Sequence, residues 1–473
     1  MSGPTSACKV TADSSSTDTA QADSSLTDTA QAATLSALQP KVLPALREYP
    51  SRLFVETTTR CNLKCRMCVK QTEGNCIAEG DLSPEVFAAL EPALPHAEAL
   101  VLNGIGEPLL HRGLERLIRR AKELMPKESW VGFQSNALLL NESRALSLVD
   151  AGLDRICLSM DALNPETFRM IREGGEVADL ERAFRALTRA KQQTGSSLSI
   201  GVEFVVMREN ALELPDALRW AAAKGVSFAI VSHLLPYEEQ HTASIAYDPN
   251  TDEAVQFFQL WQDRAEREGL DLHRYFKILV KYLRARTPEE QRIVDLVQQM
   301  KDEAHERGMF IHWNNLLARD EAWAEELGRI FAEAKAVAAE TGIDLQLPVI
   351  TPKSERNCDF VDKGSAFISW DGGVHNCYFL WHQFSCYSSK SKKYVKPKLF
   401  GKLPEQGIKE IWNSAEFRSY RMQVLGKEYP ICSNCNLVPC EYTYTENFEQ
   451  DCYANTVACG DCLWCMGLFS CLQ

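Results

Sequence analysis

The run Leu53-Phe-Val-Glu-Thr-Thr-Thr-Arg-Cys61-Asn-Leu-Lys-Cys65-Arg-Met-Cys68 joins a short apolar segment to a loop holding three cysteines in eight residues. Leu53–Glu56 has the length and apolar character of a buried strand. The Cys-x3-Cys-x2-Cys spacing of Cys61, Cys65 and Cys68 gathers three thiols in one tight loop. Three thiolates can hold three corners of an iron–sulfur cube, whereas a four-iron cluster takes four ligands. The fourth iron is then open to a small molecule. Zinc also binds cysteine, but a zinc ribbon shows two separated Cys-x2-Cys pairs. Inert buried thiols are the remaining alternative. Their crowding where the first βα loop of a barrel should fall argues against it.

Outward from this loop, apolar runs alternate with helical patterns. The expected strands are Leu53–Glu56, Ala99–Asn103, Val131–Ser135, Arg155–Ser159, Ser199–Val206 and Phe228–Ser232. Between them lie amphipathic stretches at Arg112–Leu124, Glu142–Ala151, Asp179–Gln193 and Leu214–Ala223. Alternation of this kind implies parallel βαβ connections. Six units fall short of a closed eight-fold barrel. The expected fold is α/β: a partial (β/α)6 TIM-like barrel with a helical insert and a C-terminal cysteine-rich iron–sulfur domain. Its active site should lie at the C-terminal ends of the strands.

The division expected from composition is 1–45 as a disordered Ser/Thr/Asp-rich tail, 46–245 as the barrel, 246–350 as the insert and 351–473 as the cysteine-rich domain. The tail carries a near-repeat, Ala12–Gln21 and Ala22–Gln31, too polar to build a core. In the insert, Thr287, Pro288 and Glu290 read as an N-cap, first helical residue and capping box. Ile293, Val294, Leu296, Val297 and Met300 would be its apolar face, and a second helix is expected over about 320–341. Past 351 periodicity fades and turns such as Asp371-Gly372-Gly373 enter. Of 17 cysteines, 11 lie after residue 350. With no signal peptide in view, metal or redox chemistry in the cytoplasm is the expectation rather than disulfides. No run of 18 apolar residues exists, so no bilayer-spanning segment is expected. The net charge of −13 argues against nucleic acid or a polybasic membrane contact as partner.

The three-cysteine loop resembles the signature of the radical S-adenosylmethionine (radical SAM) enzymes, over about residues 50–245. Asn103-Gly104-Ile105-Gly106-Glu107-Pro108, after the second strand, resembles that family's glycine-rich motif for the SAM amine. The resemblance implies a [4Fe-4S] cluster on Cys61, Cys65 and Cys68, whose open iron is chelated by SAM. Sulfonium cleavage then yields a 5′-deoxyadenosyl radical that abstracts hydrogen. It assigns Gly104, Gly106, Glu107 and Pro108 to the SAM amine, with Glu107 receiving the ammonium. Ser135, Asn136, Ser159 and Asp161, at strand ends, would face the ribose or the methionine carboxylate. Each has helix capping as its structural alternative. Met67 stands where the family usually has an aromatic residue near the adenine.

Cys358-x13-Gly372-x4-Cys377 and Cys432-x2-Cys435-x4-Cys440 resemble the SPASM extension, which carries auxiliary four-iron clusters. Its usual final spacing is five, with a further cysteine close behind. Here the spacing is four, and 11 residues separate Cys440 from Cys452. By resemblance, Cys358 and Cys377 serve one cluster and Cys432, Cys435 and Cys440 another, giving one or two auxiliary [4Fe-4S] clusters. Cys452, Cys459, Cys462 and Cys465 are candidate closing ligands. The dense tail through Cys471 leaves a third metal centre, ligand exchange, free thiols or a zinc knuckle open. The resemblance implies a peptide or protein substrate, maturation of a metalloenzyme, and a low-potential donor such as ferredoxin or flavodoxin. Competing activities are crosslinking of a ribosomal peptide, sulfatase-type maturation and, outside enzymes, an electron carrier. No general base is legible.

Overall fold

The computed structural model describes residues 43–72, 75, 77–280, 285–309, 311–388, 391–432, 435, 446 and 449–473. Residues 1–42 of the expected tail, Cys76 and Cys440 lie outside the described residues; residues 43–45 of that tail are described, with Ala45 buried in a 3-10 turn Pro44–Leu46. Fourteen strands are formed: β1 Arg52–Val55, β2 Lys64–Cys65, β3 Ala99–Val101, β4 Trp130–Ser135, β5 Arg155–Ser159, β6 Arg172–Glu173, β7 Ser199–Val206, β8 Phe228–His233, β9 Asp344–Gln346, β10 Ser365–Ile368, β11 Gly373–His375, β12 Phe384–Ser388, β13 Ser391–Val395 and β14 Gly401–Lys402. Ten of them make one sheet in the order β14-β11-β10-β1-β3-β4-β5-β7-β8-β9.

The six expected strand–helix units stand side by side in this sheet, all parallel. Their strands are buried on both faces, as parallel sheets covered by crossover helices require. The helices present the matching stripes. Leu114, Leu117, Ile118 and Ala121 are the buried residues of Leu114–Leu124. Asn141 and Asn164 cap the helices Glu142–Asp150 and Pro165–Ile171 through their side-chain oxygens. Gly195, at φ 67°, ends the long helix Val177–Thr194.

The sheet continues past the six units. β9 adds in parallel to β8, and β10 in parallel to β1. The first strand of the cysteine-rich region therefore extends the barrel sheet, and β11 and β14 follow it antiparallel. The span 246–350 also divides. Helices Asp252–Arg267 and Pro288–Glu306 share a separate core built on Phe257, Trp261, Ile293, Leu296, Val297 and Met300. The Thr287–Glu290 capping box is present in both directions, at 3.2 and 3.0 Å. Helix Glu321–Thr341, by contrast, buries Leu327, Ile330, Phe331 and Val337 in the barrel's core and leads into β9.

The C-terminal segment returns to the barrel mouth. Ser232 Oγ donates to the Ser470 carbonyl at 2.7 Å and accepts from Ser470 N at 3.0 Å. His233 N donates to Leu468 O, and Val349 N to Gly467 O. Among the described residues, no helix is long and apolar enough to cross a membrane.

Candidate active site

A cavity of about 280 Å³ opens at the C-terminal ends of the parallel strands. Cys61, Cys65 and Cys68 form one side of it. The antiparallel pairing of β2 with β6 sets Cys65 opposite Arg172. The Arg172 guanidinium lies 3.9 Å from Cys65 Sγ and forms an ion pair with Asp161 at 2.6 Å. Both partners of that pair are buried. Asn136 Nδ2 donates to Asn62 Oδ1 at 2.8 Å and lies 3.8 Å from Cys61 Sγ. Burial pushes all three thiols up, Cys68 to about 11. Metal must therefore displace their protons, as thiolate ligation requires.

The glycine loop closes on this one. A Cβ at Gly106 would stand 2.4 Å from Thr58 O and 2.5 Å from Arg60 O, so a side chain there would push the loops apart. Gly106 N and Glu107 N donate to those same carbonyls. A Cβ at Gly104 would meet the Glu56 side chain at 2.3 Å. Glu56 is itself fully buried, paired with His382 at 3.0 Å and accepting from Ile105 N.

Two of the expected ligand carboxylates also have partners within the fold. Glu107, 2% exposed, accepts from Ser135 Oγ at 2.8 Å, Asn136 N at 2.7 Å and Leu109 N at 3.1 Å. Its carboxylate is taken up in fixing the end of β4 to the glycine loop. Asp161, 0% exposed, accepts from Val205 N at 2.8 Å and neutralises Arg172. Asp161 stands behind the cavity, while Gly104, Gly106, Glu107, Ser135, Asn136 and Ser159 line it. Pro108 opens the 3-10 turn Pro108–Leu110 beyond the loop.

Arg172 and Glu203 are cavity residues that sequence reasoning missed. Glu203 projects from β7. Burial pushes its carboxyl up to about 7, against the pull of the Arg172 guanidinium. The opposite wall comes from beyond the six units: Tyr378, Trp381, Trp464, Phe469 and Cys471. Burial pushes the Cys471 thiol up to about 12.

The late cysteines gather unevenly. The Cys465 thiol lies beside those of Cys358 and Cys462, and Cys377 lies in the field of Cys358, Cys462 and Cys459. All five are buried. A Cβ at Gly460 would stand 2.8 Å from Cys432 Sγ, so Cys432 approaches the same loop. Cys435 is half-buried and Cys452 exposed. Of the candidate closing ligands, Cys459, Cys462 and Cys465 stand in one group with Cys358 and Cys377. Beside it, the Asn376 amide is fully buried with neither polar atom hydrogen-bonded. A sulfide-bearing group would supply the missing acceptor. The thiols at both ends of the molecule are the ligand type of iron–sulfur clusters; among the described residues, no three His, Cys, Asp or Glu side chains are gathered tightly enough to hold a single metal ion.

Residues 55–221 match the family model of the radical SAM superfamily, and residues 358–436 match that of the SPASM iron–sulfur cluster-binding domain. The chain is a radical SAM enzyme, and these domains imply [4Fe-4S] clusters and SAM. It is similar to the tungsten-containing aldehyde ferredoxin oxidoreductase cofactor-modifying protein of Pyrococcus furiosus, with 27% identity over 89% of this chain and 96% of that one. A probable GTP 3′,8-cyclase of Methanococcus aeolicus is 31% identical over 40% of this chain and 60% of its own length. Among solved structures, Streptococcus suis SuiB bound to precursor peptide SuiA is 12% identical, covering 92% of this chain and 79% of that chain at a TM-score of 0.45.

Proposed function

We propose that this enzyme cleaves SAM at a cluster held by Cys61, Cys65 and Cys68 and modifies a peptide or protein substrate, in the maturation of a metalloenzyme. The observation that carries the reading is the meeting of three thiols, a buried guanidinium and a glycine loop on one cavity. The similarity to a cofactor-modifying protein along nearly its whole length supports the maturase role.

When bound, the cluster supplies the electron that splits SAM to a 5′-deoxyadenosyl radical. The protein's own residues do the rest. Arg172 offers a fixed positive charge to a carboxylate beside Cys65, and Asp161 holds it there. Gly104 and Gly106 leave backbone accessible to the ammonium. Glu107 acts as a positioning residue, locking Ser135 and Asn136 at the rim. Glu203 retains a proton near neutrality and is the candidate acid or base at the substrate. The aromatic wall of Trp381, Trp464 and Phe469 excludes water. We assign four of Cys358, Cys377, Cys459, Cys462 and Cys465 to one auxiliary cluster. Cys432 and Cys435, with Cys440 and Cys452, are the candidates for a second. The donor would be a ferredoxin or flavodoxin in the cytoplasm, with neither nucleic acid nor membrane as partner.

The test is anaerobic. Protein reconstituted with iron and sulfide receives dithionite and SAM, and 5′-deoxyadenosine is quantified beside a Cys61/Cys65/Cys68→Ala variant. Product from the wild type alone, with iron retained in the variant, is expected. No product from fully loaded wild type would overturn the reading in favour of an electron carrier.

A further inference from the structure

The first peptide of the glycine loop is held differently from the next two. Three successive N–H groups find their acceptors in the segment 56–60. Ile105 N donates to Glu56 Oε1 at 3.2 Å, Gly106 N to Thr58 O at 3.2 Å and Glu107 N to Arg60 O at 2.8 Å. In a trans peptide the C=O points opposite to the N–H. The Gly104, Ile105 and Gly106 carbonyls are therefore turned away from those acceptors, and all three residues line the cavity. Two of the acceptors are backbone oxygens, placed by the chain itself. The other is a side chain, so the direction of the Gly104 carbonyl depends on what holds Glu56.

Glu56 is held from the other end of the chain. It follows β1, and its N–H donates to Ile368 O of β10 at 2.9 Å, at the seam where the cysteine-rich region joins the barrel sheet. Its side chain is fully buried. His382 Nε2 stands 3.1 and 3.0 Å from its two oxygens, and Trp370 N donates to Oε2 at 3.4 Å. Both of these partners belong to the cysteine-rich region, and His382 adjoins Trp381 of the cavity wall. Gly104 packs so closely on Glu56 that a Cβ there would meet its side chain. A buried carboxylate that loses its partner is costly, and it moves toward whatever donor remains.

We infer that Glu56 and His382 are positioning residues for SAM: His382 fixes the Glu56 carboxylate, Glu56 fixes the Ile105 N–H, and the Gly104 carbonyl is thereby aimed at the SAM ammonium. The cysteine-rich region then completes the SAM site, reaching it through one imidazole. This rests on the reading above that the glycine loop takes the ammonium. The loop is shaped before SAM arrives, so the effect falls on SAM affinity and not on cluster assembly.

The test uses the full chain, reconstituted anaerobically with iron and sulfide. Equilibrium dialysis measures its affinity for SAM and for 5′-methylthioadenosine, which keeps the adenosine and lacks the amino-acid end. His382→Leu should weaken SAM about tenfold or more, hold 5′-methylthioadenosine within about twofold of wild type, and keep the wild-type iron content. His382→Gln, which still offers an N–H to the carboxylate, should recover most of the SAM affinity. If His382→Leu does not fold, Glu56→Gln/His382→Leu strands no buried charge and should show the same selective loss. Unchanged SAM affinity in the variants carrying leucine, or a loss shared equally by both ligands, would make the pair structural and overturn the inference. So would His382→Gln binding SAM as weakly as His382→Leu. Wild type that binds SAM no more tightly than 5′-methylthioadenosine refutes the glycine-loop reading itself. A wild-type preference for SAM that survives His382→Leu refutes the role of the pair alone.

Discussion

The Asp161–Arg172 pair joins stability to chemistry in a way that can be taken apart. Both side chains are buried, and Asp161 also accepts from Val205 N. Asp161→Asn keeps an acceptor for Val205 but leaves the guanidinium without its counter-charge. Breaking one half of a buried pair costs about 3–5 kcal/mol. At ~2–4 °C per kcal/mol for a domain of this size, the melting midpoint falls by roughly 6–20 °C. Arg172→Met costs a similar amount, because it strands Asp161 beside Glu203, whose carboxyl Asp161 already pushes up. The double variant Asp161→Asn/Arg172→Met removes both charges, and its midpoint should recover above either single change. SAM cleavage should not recover with it. Asp161→Asn leaves Arg172 free to shift, and a displacement of ~1 Å costs on the order of 10²-fold in rate. Both variants lacking Arg172 lose the carboxylate anchor altogether. Anaerobic circular-dichroism melts and 5′-deoxyadenosine formation, on samples matched for iron, read the two effects separately. A double variant as unstable as the sum of the singles would refute the ion-pair argument. One that cleaves SAM at the wild-type rate would refute the role of Arg172.

Gly106→Ala places a methyl against Thr58 O and Arg60 O, so SAM affinity measured by equilibrium dialysis should drop while iron content stays at the wild-type level. Glu203 holds its proton up to about pH 7, whereas in the unfolded chain it ionises near 4.5. Its contribution to stability is therefore full below about 4.5 and lost as pH rises through 7. Glu203→Gln should flatten the fall in melting midpoint between pH 5.5 and 7.5, scanned in ~0.5-unit steps, and substrate turnover should lose its inflection near 7. Cys462→Ala should remove about four iron atoms per chain while leaving the SAM-binding cluster, read by iron assay and electron paramagnetic resonance.

Much of the barrel is legible because each unit declares itself locally. The apolar runs at Leu53, Val131 and Arg155–Ser159 are short enough for strands, and Leu114, Leu117, Ile118 and Ala121 recur at helical spacing. The cysteine loop is legible because its ligands are contiguous. β9 and β10 are not, since three or four residues carry no period and only the sheet edge recruits them. The gathering of Cys459, Cys462 and Cys465 on Cys358 and Cys377 joins positions about 80–110 residues apart, which spacing alone cannot pair.

Two of the expected site carboxylates have partners within the fold for a physical reason. A carboxylate after a strand looks like a ligand, but Glu107 and Asp161 sit where backbone N–H groups and a guanidinium need acceptors. Folding gives both of them partners, and Glu107 still lines the cavity. Two further charges facing the cavity, Arg172 and Glu203, are brought there by the fold. Arg172 reaches Cys65 across 107 residues of sequence, through a two-residue antiparallel pair that no pattern announces. Glu203 did leave a trace, as the one carboxylate within the apolar run Ile200–Val206. A parallel strand covered on both faces reads as a nearly unbroken apolar run, so a charge inside it must be bought by something specific. Here the purchase is a place on the cavity wall opposite Arg172. The interruption of a buried strand by a charged residue is therefore a guide to this site that adds to the polar residues at strand ends, of which Ser135, Asn136 and Ser159 line the same cavity.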